Sequence, residues 1–266
     1  MADANPSVYS EYQNLLKKYL VERSTPGNGL VSGFNYREAL ADAGLEQALR
    51  NQREILETFD PATLVDRKES VAFWVNAYNF FMLNQILTER PNGQLISSVW
   101  DYGGRYSPFS ENVFQRRIFD VGGQLFSLDD IEKGILLGDV YKSRGWKDAR
   151  VHFAVNCASV GCPPLRGSIY TAGNLERLLE ENTRRALSTD QHLRASDGIL
   201  YVTELFKWYE QDYIEAEGSV KAFILRWATN DVAERVAETS NIRYISYDWA
   251  LNDLPSLTIS NAHGNE

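Results

Sequence analysis

The chain is short of thiols, imidazoles and clustered basic charge. Its 266 residues include two cysteines, three histidines and two methionines. Two cysteines cannot staple a disulfide scaffold, and they are too few for a four-thiolate zinc site. Lysine and arginine total 27 against 36 acidic residues, for a net charge of −9, and no basic run stands out. A nucleic-acid or anionic-membrane surface needs a dense basic patch, so neither partner is expected. No stretch approaches the roughly 18 consecutive apolar residues of a membrane span. The N-terminal MADANPSVYSEYQNLL has neither a basic n-region nor an apolar h-region, so no signal peptide is expected. A cytoplasmic protein reads this way, and so does an exported one whose leader has been removed.

What remains is the composition of an ordinary globular protein, 44% hydrophobic and 24% charged. Helical spacing is expected over residues 7–20, 36–56 and Arg67 to Leu87, the last ending before Pro91. From Val71 to Leu87 the pattern is apolar nearly all round, which predicts a buried central helix. Asn76 and Asn79 lie three apart in that helix, in FWVNAYNFF, and share a face. Buried amides need hydrogen-bond partners, so they are expected to orient something polar or to bond neighbouring backbone. Residues 26–33 read as a loop, and Tyr102 to Pro108 as another. Arg117 to Phe126 reads as a β-hairpin turning at Gly122-Gly123, followed by a helix from Leu128 to about Leu137 that carries Glu132. Further helices are expected at 175–187, around 206–209, at 220–227 and at 231–238, with strands at 198–202 and 242–247. The expectation is one α+β domain over residues 31–266, with residues 1–30 as an N-terminal extension. It pictures a mixed or antiparallel central sheet packed against several helices.

The segment RVHFAVNCASVGCPPLR, Arg150 to Arg166, concentrates the scarce chemistry: His152, Cys157 and Cys162. Val151, Phe153 and Val155 alternate with His152 and Ala154, which predicts a central strand at 151–155. Small residues then allow a turn before Pro163-Pro164. A turn thiol with an imidazole from the same segment fits a nucleophile and its base, Cys157 and His152. Glu132, Asn76 or Asn79 would orient the imidazole, and Arg166 would contact an anionic group or form an ordinary ion pair. Five strand residues span about 16 Å, so either the chain turns sharply after Asn156 or His152 pairs with Cys162 instead. Four residues separate the cysteines, unlike the two of a thioredoxin-type motif, so both are expected to stay reduced.

Five stretches together resemble the bacterial and plant family named domain of unknown function 547. They are AFWVNAYN (72–79), GGQLFSLDDIEKGIL (122–136), the Arg150 to Arg166 segment, ELFKWYEQDY (204–213) and YDWALND (247–253). The resemblance implies an α+β domain in which the asparagine helix, the Glu132 helix and the His-Cys segment recur together. It implies no established activity, although glutaredoxin modules in some relatives point to thiol chemistry. It favours Cys157 over Cys162 as the functional thiol.

Together these readings favour a cysteine-dependent hydrolase or acyltransferase of papain-like or transglutaminase-like logic, acting on a small-molecule or peptide substrate. No cofactor or metal is required for that chemistry. Three other classes stay open: a thiol redox protein, a metal site of His152, Cys157 and Cys162, and a non-catalytic module that binds protein or peptide.

Overall fold

The helix Arg67–Thr88 runs through the centre of the molecule and buries every residue from Ser70 to Leu87. Its start is fixed by Asp66, whose carboxylate accepts the backbone N–H groups of Lys68 and Glu69, at 2.9 and 3.1 Å. A computed structural model describes residues 3–105 and 111–255 of the chain. Of the loop expected at Tyr102 to Pro108, residues 106–108 lie outside the described residues. Among the described residues no helix is long and apolar enough to cross a membrane.

The helix Ser10–Tyr19 packs against the helix Leu45–Thr58, and each touches the central helix, through Tyr12 on Phe80 and Arg53 on Asn84. Tyr9 meets Phe73 edge-on, with ring centroids 5.4 Å apart, and its hydroxyl donates to the Phe73 carbonyl at 2.9 Å. Tyr12 meets Phe80 at 5.8 Å. A second apolar cluster, around Phe153, Phe206, Tyr213 and Phe223, joins the C-terminal helices to the helix Leu175–Leu187. The protein is α+β, with its strands in small sheets among many helices.

Strands β1 (Leu20–Thr25) and β2 (Gly29–Phe34) pair antiparallel across residues that the sequence reads as loop. Their turn uses Gly27 and Asn28 at positive φ, so the Pro-Gly-Asn breaker is a hairpin turn. Strands β3 (Phe119–Val121) and β4 (Gln124–Phe126) form the expected hairpin, with Gly122 and Gly123 at φ 64° and 77°. Strands β5 (Leu193–Ser196), β6 (Ile199–Thr203) and β7 (Asn241–Ile245) make a mixed sheet, antiparallel between β5 and β6 and parallel between β6 and β7.

One expected strand is absent. Residues 151–155 belong to no strand, because Ala149–Phe153 is a short 3₁₀ helix. Asp148 begins it, accepting the Arg150 N–H at 3.0 Å, and the Ala154 N–H closes a turn onto the Val151 carbonyl at 2.8 Å. All five residues are buried, including Arg150 and His152. Alternation of apolar and polar residue types therefore does not correspond here to alternation of exposure. Arg150 is buried because its guanidinium pairs with Asp148 and Glu176, at 2.6 and 2.7 Å, and lies over the Trp227 ring.

Candidate functional site

The turn after the 3₁₀ helix is built by Asn156. Its side chain accepts the Ala158 N–H at 2.9 Å and donates to the Pro163 carbonyl at 2.8 Å, closing the loop upon itself. Ala158 takes φ 60°, a left-handed conformation that reverses the chain. This brings Cys157 and Cys162 together, with Cα atoms 6.3 Å apart, and the two sulfurs are joined in a disulfide. The expectation that both thiols stay reduced is thus corrected. Four intervening residues are enough to bridge once Asn156 folds the loop, because disulfides need Cα atoms within about 7 Å.

Asn79 clamps the same loop to the central helix. Its Oδ1 accepts the Asn156 N–H at 2.8 Å and its Nδ2 donates to the Ala154 carbonyl at 2.9 Å. Asn76 does not reach the loop. Its amide exchanges hydrogen bonds with the backbone of Tyr170, at 2.7 and 2.9 Å. Arg166 also points elsewhere, to Glu22 at 2.9 Å and Glu181 at 3.0 Å, in the ion-pair role.

The disulfide lines a cavity of about 400 Å³ whose wall also includes Tyr78, Glu132, His152, Tyr209 and Tyr247. Cys162 is buried and Cys157 half-buried, so Cys157 is the more accessible sulfur. The Tyr247 hydroxyl spans the pair, donating to Cys162 Sγ at 3.0 Å and lying 3.1 Å from Cys157 Sγ. Burial, then the Glu132 and Asp248 carboxylates, push this phenol's pKa up, so it remains a proton donor at neutral pH. The backbone N–H of Cys157 also donates to Cys162 Sγ, at 3.0 Å.

Tyr247 reaches the sulfurs because residues 248–252 lace onto the cysteine loop. Val160 N–H donates to the Ala250 carbonyl, Gly161 N–H to Asp248, and Asn252 N–H to Ala158. Gly161 permits this approach. A Cβ there would lie 2.9 Å from both Asp248 N and Tyr247 Cδ1.

His152 stands in the wall with its ring stacked on Tyr209, centroids 4.0 Å apart. Its Nε2 is 2.8 Å from Asp212 Oδ2, and its Nδ1 is 3.6 Å from Glu132 Oε1, too far for a hydrogen bond. Nδ1 is thus a buried ring atom without a hydrogen bond among the described residues. Burial disfavours the imidazolium, but the Asp212 and Glu132 carboxylates outweigh it and raise the pKa above the usual 6.5. Burial likewise works against the charge of Asp212, and His152 and Lys147 outweigh it, holding that carboxyl below its ordinary value. Lys147 lies 2.6 Å from Asp212 Oδ1.

Glu132 comes from a π-helical stretch, Asp130–Leu136, where the Leu137 N–H bonds the Glu132 carbonyl five residues back, at 2.9 Å. Such wide turns re-aim side chains and recur at functional sites. Among the described residues no group of three or more His, Cys, Asp and Glu side chains could hold a metal ion.

The sequence reading brought His152, Cys157, Cys162 and Glu132 into one site but missed Asp212, Tyr209 and Tyr247. Asp212 and Tyr209 lie in ELFKWYEQDY and Tyr247 in YDWALND, both stretches that carry the resemblance. No curated protein and no solved structure matches the chain. One family does match, over residues 62–186, which contain Tyr78, Glu132, His152 and both cysteines. The last two stretches of the resemblance fall after that segment, and they add Leu205, Trp208, Tyr209, Tyr247 and Trp249 to the cleft wall. The family matched over that segment is described as "Protein of unknown function, DUF547".

Proposed function

We propose that the cleft carries out thiol–disulfide exchange through Cys157 and Cys162. The observation that carries the reading is a disulfide set in a cavity wall, with one phenol in contact with both sulfurs. A thiolate of a dithiol substrate attacks Cys157 Sγ, the more accessible sulfur. The Cys157–Cys162 bond breaks, and Cys162 leaves as a thiolate that receives the Cys157 N–H and the Tyr247 hydroxyl. These donors stabilise the leaving anion, which favours cleavage on that side. The second substrate thiolate then attacks the substrate sulfur of the mixed disulfide and expels Cys157. The substrate loses two electrons and two protons and becomes a disulfide, and the two cysteines gain them as thiols.

A second reading is favoured by the Asp212–His152 pair. An imidazole anchored through Nε2, with Nδ1 unbonded at a cavity that also holds a cysteine, has the arrangement of a Cys-His acyl-transfer site. Once reduced, Cys157 would attack an acyl carbon and form a thioester. The imidazolium would protonate the leaving group, and water or an amine would release the acyl group. Asp212 would fill the orienting role that the sequence reading gave to Glu132 or Asn76.

Cys162→Ser separates the two. Exchange expects oxidised wild-type protein to release two thiols per dithiothreitol consumed, and expects the lone Cys157 thiol of Cys162→Ser to attack glutathione disulfide, release one glutathione and stop at a mixed disulfide on Cys157. Acyl transfer expects Cys162→Ser to keep forming a thioester with an activated ester and Cys157→Ser to lose it. A native disulfide that resists dithiothreitol while the protein stays folded would overturn the exchange reading.

A further inference from the structure

One end of the cleft is an aromatic cage. Trp100, Trp208, Tyr247 and Trp249 line it, with Trp249 centroids 4.7 Å from Trp100, 5.6 Å from Trp208 and 4.5 Å from Tyr247. The chain itself places a cation there. The Arg105 guanidinium lies 5.0 Å from the Trp249 centroid, 5.6 Å from Trp100 and 5.7 Å from Trp208. Three indoles converging on one guanidinium make a strong cation–π receptor, since indole has the most negative ring face of the protein aromatics.

Acidic groups complete the picture. Asp129 and Glu132 line the same cavity, and Asp129 is neutralised by Lys133 at 2.8 Å. Glu132 faces His152 at 3.6 Å, without a lysine or arginine ion pair among the described residues. The backbone leading to Arg105 suits displacement. Gly103 and Gly104 precede it at φ 105° and 84°, conformations that L side chains rarely adopt. Among the described residues, no atom lies within 4 Å of a Cβ built at either position.

We propose that the cage is a ligand subsite for a guanidinium or ammonium group, and that Arg105 occupies it in place of the ligand. The substrate of the cleft is then an arginine- or lysine-bearing molecule, its cationic head in the cage and its reacting group directed toward Cys157. Naming the ligand a substrate rests on the thiol reading above, while the binding itself does not. Arg105 acts as an internal competitor, and the ligand must displace it.

The test uses the Cys157→Ser/Cys162→Ser protein, in which no thiol chemistry can occur. It is titrated with N-acetyl-arginine methylamide, with the lysine counterpart and with the neutral citrulline counterpart, and followed by tryptophan fluorescence and calorimetry. The expected result is binding of both cationic probes, with citrulline about tenfold weaker or more. Adding Arg105→Ala should tighten the cationic probes about tenfold, and adding Trp249→Ala should abolish them. Arg105→Gln, neutral and still planar, gives the same increase if the alanine variant folds poorly. Citrulline binding as well as arginine, no binding by any probe, or no gain when Arg105 is removed would each overturn the proposal. Because the thiols are absent, such a failure leaves the exchange reading standing. Loss of exchange in the native protein with the probes still bound rejects the exchange reading alone.

Discussion

Asn79 holds the backbone on both sides of Val155, accepting the Asn156 N–H at 2.8 Å and donating to the Ala154 carbonyl at 2.9 Å. One buried amide of the central helix thus fixes the start of the loop that joins the two cysteines. Asn79→Leu strands a buried donor and a buried acceptor. Each such loss costs about 1–3 kcal/mol, so a total destabilisation of about 3 kcal/mol is expected. Urea unfolding measures it, and the Cys157–Cys162 disulfide should also become easier to reduce. An unchanged midpoint would mean the loop is held by other contacts.

His152 makes stability depend on pH in a direction set by its carboxylates. Its folded pKa is raised above 6.5, so the native state binds the proton more tightly than the unfolded chain. The stabilisation is fully present below about 6.5 and is lost as pH rises through the raised value. Asp212→Asn removes the first carboxylate partner. It should lower the imidazole pKa read by NMR and flatten this part of the stability–pH curve. A curve of unchanged slope in the variant would refute the assignment.

His192 works in the opposite direction. Its Nδ1 hydrogen-bonds Thr189 Oγ1 at 2.8 Å, its Nε2 is buried without a hydrogen-bond partner among the described residues, and burial pushes its pKa down to about 4. The unfolded chain takes up a proton near 6.5 and the folded protein only near 4. Stability should therefore fall as pH drops from about 6.5 toward 4. His192→Gln should remove this acid sensitivity, measured by thermal melts across that window. Acid sensitivity that persists in the variant would assign it to other groups.

Gly161 tests the contact between the cysteine loop and Tyr247. In Gly161→Ala the new methyl would meet Tyr247 Cδ1 and Asp248 N at 2.9 Å, so the Tyr247 segment must shift. Overpacking of this kind costs about 1–3 kcal/mol. Reduction of the disulfide by dithiothreitol should slow, because the phenol no longer assists the leaving Cys162 thiolate. Tyr247→Phe should slow the same step while leaving packing largely intact. A Tyr247→Phe protein reduced at the wild-type rate would remove the phenol from the mechanism.

The sequence by itself determined the elements whose signals are local. Apolar coverage from Val71 to Leu87 has no stable solution except a buried helix, and Pro91 sets a limit beyond its end. Gly122-Gly123 specifies a hairpin because both positions need positive φ. His152, Cys157 and Cys162 share the one stretch from Arg150 to Arg166, and they do line one cavity. Tertiary structure decided the rest. The alternation at 151–155 could not reveal a 3₁₀ turn, because Arg150 is buried by Asp148 and Glu176, partners set by the fold and not by local periodicity. The disulfide depended on Asn156 folding back to Pro163, a side-chain contact with no periodic signature. Asp212 and Tyr247 stand 60 and 85 residues from their partners His152 and Cys162. Hydrogen bonds over such separations follow from how helices and loops pack, which no local pattern encodes.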